Sequence, residues 1–437
     1  MVPPIRTLRE FRSAPVGSQM SVGGWVEDVR NLGSIAFVLI RLREATVQVT
    51  TKKKADEALF RRLTELTRES VVRVRGTIVE NPEARHGREL VPAAVDVLAA
   101  AATPLPLGVV DKVGAEFDTR LDNRMIDLRK PNVRSIFQVR HLLQQGLRHE
   151  LARHDFIEVQ TPKLSGAGAE GGATVFATDY FGRKAYLAQS PQLYKQMLMA
   201  TGLDRVYEIA PVFRAEPSDT VRHLTEFTSF DGEVAWIDHQ EDFLGILETV
   251  LAGAIAFVRE HGTDALATAG ADPRVPPIPL PRITYAEALE ILRGHGKRIR
   301  DGEDIDTEAE KILGRAMAER GHDMFFITEY PTAIKPFYVM AKTDEPEFSW
   351  SFDLEYKGDE MASGGQREHR FDVLVENMKS RGLDPAQFEF YLNPFRYGMP
   401  PHGGWGLGID RLVHKLLDLP NIREGVLFPR DRNRLVP

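Results

Sequence analysis

GGWGLGIDRLVHKLL, residues Gly403 to Leu417, joins a glycine-rich apolar strand to an amphipathic helix, with Arg411 near the helix start. Glycine lets a backbone approach a flat ring or a phosphate closely, and a helix N-terminus with an arginine favours an anion. A ligand-free strand–helix corner packed with glycine would read the same way, so the segment needs a companion. It has one in FRAEPSDTVRHLTEF, residues Phe213 to Phe227, where Arg214, Glu216, Arg222 and His223 lie between the apolar runs VYEIAPVF and FTSF. That pattern predicts a charged hairpin loop between two strands. An ordinary solvated hairpin would match it as well.

Outward from this pair, VRSIFQVRHLLQQGLRHELARHD from Val133 reads as an amphipathic helix and FIEVQTPKL as the strand after it. Strands and helices then mix to the C-terminus without regular βαβ alternation, which predicts an antiparallel α+β domain over 133–437. Residues from about 238 to 325 read as a mainly helical insertion, interrupted by PRVPPIPLPR and without a catalytic cluster. Toward the N-terminus, TPLPLG (Thr103 to Gly108) is a proline-marked break, and 105–132 reads as a polar hinge. Ahead of it, Ser21 to Val97 carries five β-branched, often alternating runs, with one helical interruption at Ala55 to Glu69 after the third. That is the order of an OB-fold barrel, here over 1–104, whose open face commonly binds single-stranded nucleic acid. An unrelated small barrel would share the pattern.

Composition sets bounds. Hydrophobic residues at 43% and charged residues at 27% describe a folded globular chain and not a disordered or fibrous one. A length of 437 residues suits two or three domains with ample core. The absence of cysteine excludes disulfide frameworks, thiolate zinc sites and cysteine nucleophiles. MVPPIRTLRE at the start has no apolar signal core, and no run approaches the roughly 18 apolar residues that span a bilayer. A cytoplasmic location without membrane attachment is therefore expected. The net charge of -7 hides an asymmetry, because residues 1–104 carry 16 Lys+Arg against 12 Asp+Glu while the remainder carries 40 against 51. A basic module ahead of an acidic body suits attraction to phosphates in the first segment.

Together these segments resemble the class II aminoacyl-tRNA synthetases over essentially the whole chain. The helix from Val133 with FIEVQTP, ending at Pro162, is similar to the family's first signature motif at its dimer interface. FRAE with its loop and strand resembles the second, and GLGIDR the third. Within the class, QSPQLYKQ (Gln189 to Gln196), FRAEPSDTVRHLTEF and SGGQRE (Ser363 to Glu368) resemble the aspartyl enzymes of archaeal type, which are compact and lack the large bacterial insertion. The resemblance implies a homodimer that activates L-aspartate with ATP and Mg²⁺ and transfers it to tRNA. Arg214, Glu216 and Arg411 form the catalytic set it implies. Arg214 would clamp the α-phosphate and the substrate carboxylate, Glu216 would meet the adenine amino group, and Arg222, His223 and Arg411 would hold a bent triphosphate. Ala215, Leu224, Gly408, Ile409 and Asp410 would complete the ATP site, with Glu360 and Ser363 as magnesium ligands. The physics agrees, since adenylyl transfer needs positive charge aimed at developing phosphate charge, and arginine supplies it bidentately.

For the amino acid, the resemblance places Glu170 of GAGAEGGATVF on the ammonium, with Ser190 and Gln192 nearby, and pairs Lys195 and Arg367 with the side-chain carboxylate. Leu193, Tyr194, Asp231 and Ser363 would share that pocket. Asparagine there would leave desolvated cations poorly paired, and such mismatches can discriminate by about 10⁴. Asparaginyl-tRNA synthetases share the motifs and the barrel but typically have glutamate where HLTEFTSFDGE has Asp231, which favours aspartate. A non-catalytic synthetase-like protein would be expected to have lost Arg214, Glu360 or Arg411, and none is missing. Gly364-Gly365-Gln366 also matches the tripeptide of peptide release factors, but its strand context and Arg367 fit a synthetase pocket better than an exposed loop tip. In the barrel, Phe37 and Gln48 resemble the pair that stacks on and hydrogen-bonds the central anticodon uridine, with Arg30 and Glu80 as neighbours. Relatives restricted to tRNA(Asp) tend to have lysine in the loop matching NPEARHG, where this chain has Pro82 and Glu83. That favours an enzyme that charges tRNA(Asn) as well as tRNA(Asp).

Overall fold

In the computed structural model, which describes residues 7–43, 45–110, 114–166, 174–215, 217 and 220–437, the alternating N-terminal runs close into a barrel. After the short helix α1 (Leu8–Ser13) come β1 (Gln19–Asn31), β2 (Ile35–Arg41) and β3 (Thr46–Lys52), then α2 (Glu57–Thr64), β4 (Val71–Glu80) and β5 (Arg88–Ala99). The strand order is β1-β2-β3-β5-β4, and β4 returns to β1. Period-2 alternation drives the closure: Val38, Ile40, Val47, Val49, Val72, Val74 and Leu90 point inward and are buried. The described part of the stretch expected to be a polar hinge includes two short helices. It holds α3 (Phe117–Asp122) and α4 (Arg124–Asp127), and the division between the two compact units falls at Pro131/Asn132. Its polar residues are consumed locally, because the buried Asp127 takes Arg124 at 2.9 Å and Lys130 at 3.1 Å, while Arg129 reaches Glu69 of the barrel unit at 2.9 Å.

The second unit begins with α5 (Pro131–Arg153), followed by β6 (Ile157–Glu158), β7 (Leu164–Ser165), β8 (Ala177–Tyr180) and β9 (Arg183–Leu187). Then come α6 (Gln192–Leu198), β10 (Arg205–Phe213), β11 (Glu226–Ala235), α7 (Glu241–His261), α8 (Thr263–Ala269), β12 (Arg282–Thr284) and α9 (Tyr285–Gly294). The rest is α10 (Thr307–Glu319), β13 (Met324–Thr328), β14 (Ser351–Tyr356), β15 (Asp359–Gln366), α11 (Phe371–Ser380), α12 (Glu389–Arg396), β16 (His402–Gly408) and α13 (Ile409–Leu416). An eight-stranded sheet runs β12-β13-β14-β15-β16-β11-β10-β6. It is antiparallel through its centre, as expected, but each edge pair, β12/β13 and β6/β10, is parallel.

The insertion expected over about 238–325 is helical but not separate. Leu244, Leu247, Leu251, Ile255 and Val258 recur on one face of α7, and burying that stripe seats the helix against α5 and the sheet in the main core. Its later part supplies β12 and β13 at the sheet edge. Gly364 and Gly365 lie inside β15, where an added Cβ would strike the backbone of Gly404 or Trp350. A strand centre cannot be the exposed tip that hydrolysis of a peptidyl ester would need, so the release-factor alternative fails on geometry. Among the described residues, no helix is long and apolar enough to cross a membrane.

Candidate active site

A cleft of about 440 Å³, within the usual range for small-molecule sites, opens over the centre of the sheet where β11, β15 and β16 meet α13. The hairpin read in FRAEPSDTVRHLTEF is β10–β11, paired from Phe213↔Glu226 to Arg205↔Val234. At its mouth the Arg214 N–H donates to the Thr225 carbonyl at 2.9 Å, and the guanidinium lies 5.3 Å from the Phe227 ring centre, a cation–π contact that aims it. Across the cleft α13 starts after Gly408, and Arg411 Nη1 donates to the Glu360 carbonyl at 2.9 Å. Both arginines line the cleft, as do Arg222, His223, Leu224, Gly408 and Asp410.

Arg222 and Asp410 are held by charged partners from other elements. Arg222 is held by Glu310 at 2.9 Å and, more tightly, by Asp359 and Thr307. The Asp410 carboxylate accepts from Arg140 of α5 and from the Thr228 N–H at 2.6 Å, which ties α5, β11 and α13 together. Asp410 is thus a bracing group. Ala215 and Ile409 stand behind the lining, and Ile409 is core. Glu170 and Glu216 lie outside the described residues.

Glu360 and Ser363 are three apart on β15, which in a regular strand would turn them to opposite faces. A bulge reverses that. The register passes from Leu354↔Ala362 to Glu355↔Glu360, so Met361 is an extra residue, and both side chains line the cleft. Asp353 and Glu355 of β14 sit beside them. The Asp353 carboxyl is pushed up to about 6, chiefly by burial, with Lys335 opposing and Glu360 adding. Burial also raises Glu355 well above the usual carboxylate range.

The residues expected around an amino acid include a buried charge quartet. α6 brings Gln192, Lys195 and Gln196 to one face at helical spacing, whereas Leu193 packs in a separate core and Tyr194 lies against Phe390 with tilted rings. Lys195 donates to Asp231 at 3.1 Å and to the Trp405 carbonyl at 2.6 Å, and lies 3.4 Å from Glu233. Arg367 gives Nε and Nη2 to Glu233 at 2.9 and 3.2 Å. Burial pushes the Glu233 carboxyl up, but Arg367 and Lys195 together outweigh it and hold the pKa below its usual value. Ser190, Gln192, Asp231, Ser363 and Arg367 line the cleft. Lys195 stands just behind it. Glu233 escaped the sequence reading although it shares a strand face with Asp231, two residues away, and that period was the available signal. Gly404 and Gly406 of β16 leave room for the two acids, since a Cβ on Gly406 would lie 3.0 Å from Asp231 Oδ1 and one on Gly404 would overlap the Glu233 carboxylate.

In the barrel, Arg30 of β1 pairs across from Phe37 of β2, and Phe37 across from Thr50 of β3. Phe37, Gln48 and Thr50 alternate with the inward Val38, Val47 and Val49, so they share the outer face. The carboxylate beside Gln48 is Glu89: it accepts from Gln48 Nε2 at 2.8 Å, from Asn81 Nδ2 at 2.9 Å and from the Thr50 hydroxyl. Glu80 is exposed at the end of β4 opposite Arg88, and Pro82 and Glu83 are exposed in the β4–β5 loop.

Residues 116–432 match the family model for tRNA synthetases class II (D, K and N), and 20–98 that for an OB-fold nucleic acid binding domain. The chain is 52% identical over 423 residues to the aspartate–tRNA(Asp) ligase of Pyrococcus horikoshii, covering 96% of this chain and 97% of that one. It is 50% identical over 418 residues to the aspartate–tRNA(Asp/Asn) ligase of Methanocorpusculum labreanum, covering 95% and 96%. Among solved structures, asparaginyl-tRNA synthetase of Pyrococcus horikoshii with asparaginyl-adenylate aligns with TM-score 0.91 at 32% identity over all of both chains.

Proposed function

The chain belongs to the class II tRNA synthetases of the D, K and N group, and on that premise we propose that it activates L-aspartate with ATP to aspartyl-adenylate and transfers it to tRNA. One observation carries the reading: a single cleft sets Arg214 and Arg411, suited to a phosphate chain, beside an Arg367–Asp231 wall suited to an amino acid with a charged side chain. Aspartate-dependent ATP–pyrophosphate exchange tests it. Exchange that needs asparagine instead would overturn it.

Magnesium fits the other end of the cleft. Glu360 and Ser363 face one side, and the buried carboxyls of Asp353 and Glu355 gain from a cation. A magnesium ion there would be held by one or two protein oxygens and the phosphates. When bound it neutralises phosphate charge. Homodimerisation is supported by β6, a short sheet-edge strand whose Ile157 is 48% exposed. A cytoplasmic location follows from the tRNA substrate.

The barrel reads the anticodon. Gln48 has committed its amide N–H groups to Glu89 and Thr50, which leaves its oxygen to accept from a base while Phe37 stacks. Phe37→Ala or Gln48→Ala should raise the KM for tRNA by about tenfold, since stacking is worth about 1–3 kcal/mol per base. Pyrophosphate exchange without tRNA should be unchanged, because barrel and cleft belong to separate compact units. Loss of exchange in these variants would move both residues to a structural role.

The exposed Pro82–Glu83 tip supports relaxed reading of the third anticodon base. Relatives of both kinds are about equally similar, so the loop decides. The protein should charge tRNA(Asp) and tRNA(Asn) with kcat/KM values within about tenfold, at the low end of what one base contact gives. A preference above about a hundredfold for tRNA(Asp) would refute this and leave the ligase reading intact.

A further inference from the structure

We propose that His402, which does not touch the cleft, is a positioning residue that fixes, through two glutamine amides, which face of Gln192 meets the amino-acid substrate. The proposal rests on the aspartate-activation reading. His402 Nδ1 lies 2.8 Å from the Pro400 carbonyl oxygen, an atom that only accepts, so Nδ1 carries the ring proton. The ring is wholly buried, and burial pushes its pKa down to about 4, with Glu233 only partly opposing. At neutral pH the imidazole is uncharged and Nε2 is an acceptor.

Gln196 Nε2 lies 3.1 Å from that acceptor and must donate to it. The Gln196 oxygen is thereby turned to the other side, where it accepts from Gln192 Nε2 at 2.8 Å and from the Tyr391 hydroxyl at 3.2 Å. Gln192 is fixed in turn: one amide N–H goes to Gln196, and its oxygen faces Arg367 Nη2 at 3.5 Å. A reversed Gln196 would set oxygen against the Nε2 lone pair and NH₂ against NH₂, in a region where His402, Gln196 and Gln192 are all buried. Only Gln192 of the three lines the cleft. On the Arg367 side it sets an oxygen, an acceptor that suits the guanidinium and the ammonium of an α-amino acid and disfavours a second acceptor there.

The groups that charge or titrate against the ring are Glu233 of β11, Arg367 and His369 after β15, and Tyr391 of α12. Two variants test the relay, both followed by pyrophosphate exchange and by thermal melting. His402→Leu should raise the KM for aspartate by about tenfold, the size of one buried hydrogen-bond defect, with the KM for ATP within about threefold. Gln196→Glu keeps the shape but faces Nε2 with an oxygen, which requires a proton on the ring. Its aspartate KM should be near the wild-type value at pH 6 and rise toward pH 8 as the imidazolium deprotonates, whereas the wild type stays flat. Equal rises for ATP and aspartate in His402→Leu, or a flat aspartate KM in Gln196→Glu, would overturn the relay. If His402→Leu does not fold, the isosteric variant decides alone. Wild-type protein without aspartate-dependent exchange would instead overturn the reading on which the relay rests.

Discussion

Arg214→Ala and Arg411→Ala should each lower aspartate-dependent ATP–pyrophosphate exchange by about 10²-fold or more, the usual loss when one donor aimed at developing charge is removed. The two residues reach the cleft from different elements, one from the mouth of the β10–β11 hairpin and one from the first turn of α13. Arg222, by contrast, is spent on Glu310 and Asp359. Arg214 is aimed by the Phe227 ring, and Arg411 by the Glu360 carbonyl. Phosphoryl and adenylyl chemistry depends on positioning and charge more than on covalent help, so the defect should fall on kcat as well as on the KM for ATP. Thermal melting should move little, because both guanidinium groups face the cleft. Exchange retained within about threefold in either variant would remove that arginine from the reaction.

How much of this was legible depended on whether a residue's partner was local. The barrel was, because five alternating runs and one helix need no distant information to declare an inner face. The QSPQLYKQ helix was half legible: its spacing puts Gln192, Lys195 and Gln196 on one side, yet Leu193 and Tyr194, carried along with the motif, turn away from the cleft. Glu89 was not legible. It meets Gln48, 41 residues away, only because β3 and β5 pair in parallel at Val49↔Leu90. The bulge at Met361 that gives Glu360 and Ser363 a common face leaves no mark in DEMASGG. Glu310 reaches Arg222 from α10, a segment read as an insertion without chemistry, because no local pattern says which helix will lie over the cleft. The connector looked polar for the same reason: Asp127 and its cations satisfy one another, and a satisfied buried network has the composition of a loop.

Lys195→Leu should lower kcat/KM for aspartate by about 10³-fold while the KM for ATP moves by less than about threefold. That size corresponds to the several kcal/mol that leaving one partner of a buried charge pair uncompensated costs. In the intact protein the four charges of Lys195, Arg367, Asp231 and Glu233 cancel. Asp231 and Glu233 are 3% and 0% exposed, so water cannot make up for a missing ammonium. Without Lys195 the wall carries a net negative charge toward a substrate whose side chain is also negative. Asparagine, with a neutral side chain, is penalised less, so the aspartate-to-asparagine ratio of kcat/KM should fall. A second substitution separates field from contact. Lys195→Leu combined with Asp231→Asn restores neutrality and should recover most of the lost melting temperature. It should not recover aspartate activation if the lysine is needed to meet the substrate carboxylate. Recovery of activity to within about threefold of wild type would make Lys195 a counter-ion to Asp231 only, and would leave Arg367 as the cation that selects the side chain. Equal losses toward aspartate and ATP in the single variant would take Lys195 out of the amino-acid pocket altogether.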